Sequence, residues 1–250
     1  MKQNFSYITF VNNNKIYLDL LDVLLESIQN FSKYSIIVYF LSVPNDIIKN
    51  FINKYNDKII PRLIDEDLGL VSIYYYKPYI IIDAIQNDLI ESGFYIDVDN
   101  IITKYCDDVV SVLDKLNKIP ISPIHPDNVD IPKYYMENLG INTTRTQHYI
   151  HASCLLFKKS NIEFLREWYN NCLKSRYAFW DETCLNCTYW KYNCVEHYLP
   201  IIDPYFEQFY TTNGKESMNQ VYLYHGCKDS NKQRKLLVDL KEFYDKINKI

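Results

Sequence analysis

The apolar positions along the first part of the chain follow two different periods. Residues 6–11 and 35–41 are short apolar runs typical of buried strands, and apolar residues at helical spacing lie between them. The helical positions are Tyr17, Leu20, Leu21, Leu24, Ile28 and Phe31. A strand, a helix and a strand in this order predict a right-handed parallel crossover. We therefore expect an α/β fold with helices flanking a central sheet.

The rest of the chain continues the alternation of strands and helices. Strand patterns occur at residues 94–96, 149–157 and 221–224, and a helical pattern begins near Pro78. Further helices are predicted at residues 109–116, after Ser160, after Asp181 and near the end of the sequence. Because no repeat, low-complexity tract or Gly/Ser linker interrupts the pattern, we expect one domain spanning residues 1–250.

Two acidic residues follow the apolar run at residues 94–96. Residues two apart in an extended chain point to the same side, so Asp97 and Asp99 can converge on one hard cation while Val98 faces away. The alternative is a turn in which both carboxylates face water, since short D-x-D matches are common. The acids at residues 65–67 and 107–108 follow no comparable apolar run. The sequence therefore predicts a divalent metal site at the end of this strand.

Three other places carry side chains suited to a phosphorylated ligand. The polar loop that begins at Asn12 follows a strand, where ligands of open α/β sheets bind. Lys77 immediately precedes the helix expected to begin at Pro78, and free N–H groups at a helix start can hold a diphosphate together with a cation. His225 ends a strand and is followed by Gly226, which lets the backbone turn closely, and then by Lys228. We expect His225 as a third metal ligand and both lysines as phosphate contacts, although ordinary surface turns have the same pattern.

Charge and composition exclude several classes of function. The formal net charge is −4 with Lys and Arg scattered among acids, so no broad basic face for nucleic acid is expected. No apolar run approaches the length of a transmembrane segment, and the first residues lack a signal-peptide pattern. We therefore expect a cytoplasmic protein. The five glycines are too far apart for a P-loop, which leaves a metal ion as the expected means of holding phosphates.

The cysteines suggest either core residues or a zinc site. Their number, seven, is odd, and a disulfide framework is not expected in an intracellular chain. Four zinc-type ligands lie close together: Cys184, Cys187, Cys194 and His197. Cys184 and Cys187 also fall within a helical pattern, where cysteine serves as a small apolar residue. We expect these cysteines to be residues of the hydrophobic core, and a structural zinc site is the alternative.

Four short motifs resemble the GT-A nucleotide-sugar transferases, most nearly glycosyltransferase family 8, the glycogenin-like group. Residues 6–10 and Tyr17 are similar to the opening strand and loop of that family, and residues 95–99 to its D-x-D strand. Residues 181–186 resemble its D-Q-x-x-L-N segment, and His225 with Lys228 its last motif. The motifs extend from about residue 6 to residue 228 without continuous similarity between them.

The resemblance implies a single GT-A (Rossmann-like) domain with a mixed, mostly parallel central sheet. It implies a retaining hexosyltransferase with a UDP-sugar donor, a carbohydrate or protein/glycan hydroxyl acceptor, and Mn²⁺ or Mg²⁺ as cofactor. The implied metal ligands are Asp97, Asp99 and His225, and the implied catalytic residues are Asp181 and Glu182. The implied nucleotide- and donor-binding residues are Thr9, Phe10, Val11, Asn12, Tyr17, Lys77, Asp83, Val98, Asn186, Gly226 and Lys228.

Two departures from the family pattern bear on these expectations. Glu182 replaces the glutamine of the motif, and a carboxylate there could deprotonate an acceptor and give inversion instead of retention. Lys228 follows His225 by only three residues, and the expected Pro-Trp is replaced by Asp229-Ser230.

Two other functions remain as alternatives. A haloacid-dehalogenase-type phosphatase also places D-x-D after an apolar strand, but it expects Thr or Val where this chain has Ile101. A non-catalytic interaction module stabilised by zinc at the Cys/His cluster is the other.

Overall fold

The structure is a computed structural model that describes residues 3–64, 68, 70, 72–116, 119–124, 133–140, 149–175, 181–192, 223–226 and 228–247. Its strands are β1 (Gln3–Asn12), β2 (Ile36–Leu41), β3 (Ile59–Ile64), β4 (Ile90–Ile96), β5 (Ile101–Ile102), β6 (Cys154–Lys158) and β7 (Leu223–Tyr224). Its α-helices are α1 (Lys15–Phe31), α2 (Asn45–Tyr55), α3 (Tyr76–Gln86), α4 (Lys133–Asn138), α5 (Ile162–Lys174), α6 (Asp181–Tyr192) and α7 (Ser230–Ile247).

Five of these strands form the main sheet, in the order β3-β2-β1-β4-β6, and β5 pairs with β7 in a small second sheet. β1 runs parallel to β4 and β2 runs parallel to β3, whereas β4 and β6 are antiparallel. The result is a mixed, mostly parallel sheet flanked by helices. The predicted α/β class is therefore confirmed.

The first of two compact units comprises Met1–Ile8, Glu66–Ile96 and Val109–Pro200. Its described part contains the start of β1, strands β4 and β6, and helices α3 to α6. Gly93 lies in β4, where an added Cβ would come within 2.8 Å of Phe157 Cζ and 2.9 Å of the Ser6 carbonyl oxygen. Only glycine leaves room for this close approach of β1, β4 and β6.

The second unit comprises Thr9–Asp65, Asp97–Asp108 and Ile201–Ile250. Its described part contains the end of β1, strands β2 and β3, the β5–β7 pair and helices α1, α2 and α7. The apolar face predicted for α1 is buried, and one core cluster joins α1 and α7 to β5 and β7. This cluster consists of Val23, Ile101, Tyr224, Leu236, Leu237, Leu240 and Tyr244. It anchors the small sheet that carries part of the candidate site.

Several element boundaries differ from the sequence prediction. The strand predicted at residues 149–157 begins only at Cys154, because side chains of α6 hold the residues before it. The helix predicted at residues 109–116 is the later part of a 3-10 helix, Cys106–Lys115. β3 was not predicted, since Pro61 argues against a central strand, but β3 lies at the sheet edge, where proline is tolerated. The single-domain organisation remains a prediction.

No helix in the described part of the chain combines the length and the apolar character that a membrane span requires.

Candidate functional site

Asp97 and Asp99 lie in the turn that joins β4 to β5. β5 pairs antiparallel with β7, with Ile101 opposite Tyr224. Because the two strands run in opposite directions, this register places His225, which follows Tyr224, beside the turn that precedes Ile101. The small sheet thus brings a residue more than a hundred positions away to the two acids.

The three side chains form a group that could hold a metal ion. Asp97, Asp99 and His225 each offer one ligand atom, and these atoms all lie within 4.8 Å of one another. His225 Nε2 is 3.7 Å from Asp99 Oδ1, and the two side chains are only 14% and 15% exposed. Carboxylates held this close repel each other unless a cation lies between them. Two carboxylate oxygens and an imidazole nitrogen therefore fit a divalent cation such as Mn²⁺ or Mg²⁺.

Asn100 closes the turn that carries the two aspartates. Its side-chain Nδ2 donates to the Asp97 carbonyl oxygen at 2.8 Å, and its backbone N–H donates to the same oxygen at 3.2 Å. Asn100 is fully buried, and its Oδ1 has no hydrogen-bond partner among the described residues. The sequence pattern assigns Asn100 no role, because asparagine is common in every kind of turn.

The residues predicted to hold the nucleotide lie at the end of β1 and at the start of α1. Thr9 and Val11 are buried, whereas Phe10, Asn12 and Tyr17 are partly buried. Thr9 Oγ1 and Asn12 Oδ1 are buried atoms without hydrogen-bond partners in the described part of the chain. Leaving such an atom unpaired costs about 1–3 kcal/mol, so both atoms are suited to hydrogen-bond donors of a ligand. Their contact with a nucleotide remains a prediction.

Lys77 lies within the first turn of α3, which begins at Tyr76, and not before the helix as the sequence predicted. It forms a buried ion pair with Asp181. Lys77 Nζ lies 3.2 Å from Asp181 Oδ2, and the two side chains are 6% and 4% exposed. Lys77 also donates to the Ala152 carbonyl oxygen at 3.3 Å, and its Nζ lies 5.7 Å from the centre of the Tyr95 ring. A buried charge needs such partners, because desolvation otherwise disfavours it. Contact of Lys77 with a diphosphate and of Asp181 with a sugar remain predictions.

The carboxylate of Glu182 is turned toward the segment that precedes β6. Ala152 N–H donates to Glu182 Oε2 at 2.9 Å, and His151 Nδ1 lies 3.3 Å from the same oxygen. Tyr149 also hydrogen-bonds to Glu182, and burial together with the charge of Glu182 raises the pKa of the Tyr149 hydroxyl. The sequence pattern did not distinguish His151 or Tyr149, since both fall in an apolar run predicted as a strand.

Asn186 joins α6 to the same segment. It is fully buried, and its amide accepts from Ile150 N–H at 2.8 Å and donates to the Ile150 carbonyl oxygen at 2.9 Å. A third bond runs from Asn186 Nδ2 to the Glu182 carbonyl oxygen at 2.8 Å. Asn186 therefore fixes the backbone of Ile150 against α6. Its contact with the donor sugar remains a prediction.

The remaining predicted residues have separate places. Asp83 lies on α3, where its Oδ1 accepts from Asn87 Nδ2 at 2.7 Å. Val98 is buried in the turn between the two aspartates. Gly226 has φ +92°, and Lys228 is exposed just before α7. The positive φ of Gly226 agrees with the expectation of a close backbone turn at this position.

The cysteines of the alternative zinc site are core residues where the structure describes them. Cys184 and Cys187 are fully buried on α6, and Cys187 packs in an apolar cluster. Burial raises the pKa of the Cys187 thiol to about 12, which disfavours the thiolate that zinc binds. The other two ligands of that site, Cys194 and His197, lie outside the described residues.

The sheet and its flanking helices define a protein with the GT-A fold of glycosyltransferases. One solved structure with this fold is apo WbbM, a bifunctional glycosyltransferase, with a TM-score of 0.65 and 14% identity over 98% of this chain and 52% of that chain. Another is the galactosyltransferase LgtC in complex with donor and acceptor sugar analogs, with a TM-score of 0.58 and 12% identity over 94% of this chain and 95% of that chain. A Gln-to-Glu active-site mutant of LgtC has a TM-score of 0.59 and 13% identity over 89% of this chain and 87% of that chain.

These similarities show the fold. The chain spans about half the length of WbbM. No model of a known protein family matches the chain, and a search of the curated proteins finds no relative. At identities of 12% to 14%, the activity has to be inferred from the side chains of the site.

Proposed function

We propose that this protein is a metal-dependent glycosyltransferase that moves a sugar from a nucleotide diphosphate donor to a hydroxyl acceptor. The proposed donor is a UDP-sugar, and the acceptor is a hydroxyl of a carbohydrate, a protein or a glycan. The observation that carries the proposal is the convergence of Asp97, Asp99 and His225 in a chain with the GT-A fold. The fold also favours a transferase over the phosphatase alternative.

The main chemical demand of this reaction lies at the diphosphate. Breaking the bond between the sugar and the diphosphate oxygen leaves negative charge on the departing nucleotide. Asp97, Asp99 and His225 would hold the Mn²⁺ or Mg²⁺ ion whose positive charge offsets that negative charge. Lys228, which is exposed shortly after His225, is the proposed second cation for the diphosphate. Lys77 is a further proposed cation, and in the structure its ammonium pairs with Asp181.

The nucleoside is proposed to bind at the end of β1. Thr9 Oγ1 and Asn12 Oδ1 are buried acceptors without partners among the described residues, and a uracil N–H and ribose hydroxyls are suitable donors. Phe10 and Tyr17 add aromatic surface on which a base can pack.

The sugar and the acceptor are assigned to Asp181 and Glu182, and the proposed outcome is retention at the anomeric carbon. Retention follows from the family resemblance, whereas the carboxylate of Glu182 is the feature that would favour inversion. Proton NMR of the first-formed product distinguishes the two anomers. Formation of the opposite anomer would contradict retention and leave the transfer reaction itself in place.

A thermal-shift screen with nucleotides and nucleotide sugars tests the proposed function. We expect UDP and UDP-sugars to raise the melting temperature when Mn²⁺ or Mg²⁺ is present, and to have little effect in a chelator. Ligand at a hundred times its Kd adds about 2.7 kcal/mol, which corresponds to a shift of roughly 5–10 °C for a chain of this size. Failure of every nucleotide to stabilise the protein, with or without metal, would contradict the proposal. A large loss of stability caused by prolonged chelation alone would favour the zinc-stabilised module.

A further inference from the structure

Glu182 and His151 meet at a single carboxylate oxygen. Ala152 N–H and His151 Nδ1 both lie next to Glu182 Oε2, at 2.9 and 3.3 Å. The side chains of His151 and Glu182 are 14% and 13% exposed, so water screens their interaction only weakly. The Glu182–His151 pair is therefore a close contact between two largely buried titratable side chains.

The backbone around this pair is held on both sides. Asn186 binds the N–H and the carbonyl oxygen of Ile150, and Lys77 donates to the carbonyl oxygen of Ala152. Ser153 N–H lies 3.2 Å from His151 Nδ1. The imidazole therefore projects from a segment with little freedom to shift.

His151 Nδ1 faces both a hydrogen-bond donor and an acceptor. With no proton on Nδ1 it accepts from Ser153 N–H, and with a proton it donates to Glu182 Oε2, but one ring nitrogen cannot do both. Among the described residues, Asp181 on α6 and Lys77 on α3 are the further charged groups of this segment, and they compensate each other as an ion pair. Tyr149 stays neutral, because burial raises the pKa of its hydroxyl. Glu182 is therefore the carboxylate in contact with the imidazole.

We propose that His151 is a positioning residue for Glu182, with Nδ1–H donating to Oε2 so that the carboxylate is held in one orientation. The inference rests on the proposed function, in which Glu182 lies on the sugar and acceptor side of the reaction. A glutamine would need no such partner. A largely buried glutamate does, because an uncompensated charge in this environment is costly.

Nitrogen-15 NMR of the histidine side chains tests the pair without any substrate. The His151 signal is identified by its loss in His151→Asn. We expect Glu182→Gln to lower the pH at which His151 is half-protonated by about one unit, because a nearby carboxylate favours the protonated imidazole. Glu163→Gln is the matched control, since Glu163 is 75% exposed and pairs with Arg166. An unchanged His151 titration in Glu182→Gln overturns the pairing.

A double-mutant cycle on sugar transfer tests the positioning role. We expect His151→Ala to lower kcat about tenfold, which corresponds to about 1.4 kcal/mol, while Mn²⁺-dependent UDP affinity stays within about twofold. His151→Asn should recover most of the loss, because its amide N–H can donate from close to the place of Nδ1. In the Glu182→Gln background, His151→Ala should change kcat by less than about twofold.

Equal losses of kcat in both backgrounds would overturn the positioning role. A wild-type protein that does not bind UDP in the presence of Mn²⁺ would instead contradict the proposed function. In that case the NMR titration still decides whether Glu182 and His151 act as a pair.

Discussion

Gly226 directly follows the proposed metal ligand His225 and has φ +92°. An added Cβ would meet nothing within 4 Å, so the cost of a side chain there is conformational and not steric. We expect Gly226→Ala to lower the free energy of unfolding by about 1–2 kcal/mol. We also expect weaker Mn²⁺ binding, because the strained backbone shifts the adjacent imidazole. Urea unfolding measures the stability, and calorimetry measures the metal affinity.

Gly140 provides the matched control for this substitution. It has φ +70° and equally open surroundings, but it does not adjoin a proposed metal ligand in the sequence. Gly140→Ala should lose a similar amount of stability and keep its Mn²⁺ affinity. If both variants bind Mn²⁺ equally well, the backbone after His225 does not position the ligand.

At the residue scale, the sequence predicted best the side chains that lie at strand ends. Asp97 and Asp99 follow an apolar run with the spacing of one strand face, His225 follows another, and the three side chains do lie close together. Their role as metal ligands remains a prediction. The proposed role of His151 depends on a contact with Glu182, thirty-one positions away, and no local pattern indicates that contact. Asn100 is adjacent to the proposed metal ligands, but its pairing with the Asp97 carbonyl oxygen requires the folded turn.

At the scale of elements, Asn186 holds helix α6 to the segment before β6. Its amide pairs with both backbone polar groups of Ile150, a residue that is only 2% exposed. Asn186→Ala leaves those groups unpaired, so we expect the free energy of unfolding to fall by about 2–4 kcal/mol in urea titrations. Asn87→Ala, at an exposed position on the surface, should change it by less than about 0.5 kcal/mol. Normal stability with lost UDP-sugar binding would make Asn186 a ligand contact instead.

Asp22 on α1 joins α2 and α7 through Lys54, Tyr55 and Arg234. Burial raises the pKa of Asp22, but hydrogen bonds from Lys54, Arg234 and Tyr55 together outweigh burial and hold that pKa below its usual value of 3.8. A lowered pKa contributes stability that is complete above the unfolded-state value and is lost as pH falls through the folded-state value.

We therefore expect Asp22→Asn to be less stable than wild type at neutral pH, and the difference to shrink below about pH 4. The cost should be about 1 kcal/mol, because Lys54 and Arg234 are 52% and 42% exposed and water screens their charges. Urea midpoints across this pH range measure it. Asp19→Asn, which removes an exposed pair with Lys15, should have little effect. A stability difference that does not depend on pH would contradict the role of the Asp22 charge.

Elements with one apolar face were predictable, and elements that depend on their neighbours were not. The buried residues of α1 have the helical spacing read from the sequence. β3 contains Pro61 and has an irregular burial pattern, so its sequence does not look like a strand. A strand can form there because β3 lies at the sheet edge, where proline is tolerated. β6 begins late because the amide of Asn186 binds backbone that the apolar run alone would extend as a strand.

At the scale of the whole molecule, alternating strands and helices were sufficient to predict the α/β class. The strand order and the antiparallel direction of β6 were not predictable, because local periodicity does not specify which strands become neighbours. Each compact unit is assembled from three separate segments of the chain. The metal group itself combines two of these segments, Asp97–Asp108 and Ile201–Ile250.

We propose that Asp97, Asp99 and His225 hold a divalent ion on which binding of a nucleotide diphosphate depends. Calorimetry of UDP binding with and without Mn²⁺ tests it most directly, in wild type, Asp99→Asn and the exposed control Asp108→Asn. Asparagine is nearly isosteric with aspartate but uncharged, so Asp99→Asn should melt close to wild type. We expect UDP to bind wild type and Asp108→Asn only with Mn²⁺, and to bind Asp99→Asn at least about tenfold more weakly, which is about 1.4 kcal/mol. Equal UDP affinity with and without metal, or wild-type metal-dependent affinity in Asp99→Asn, would contradict the account.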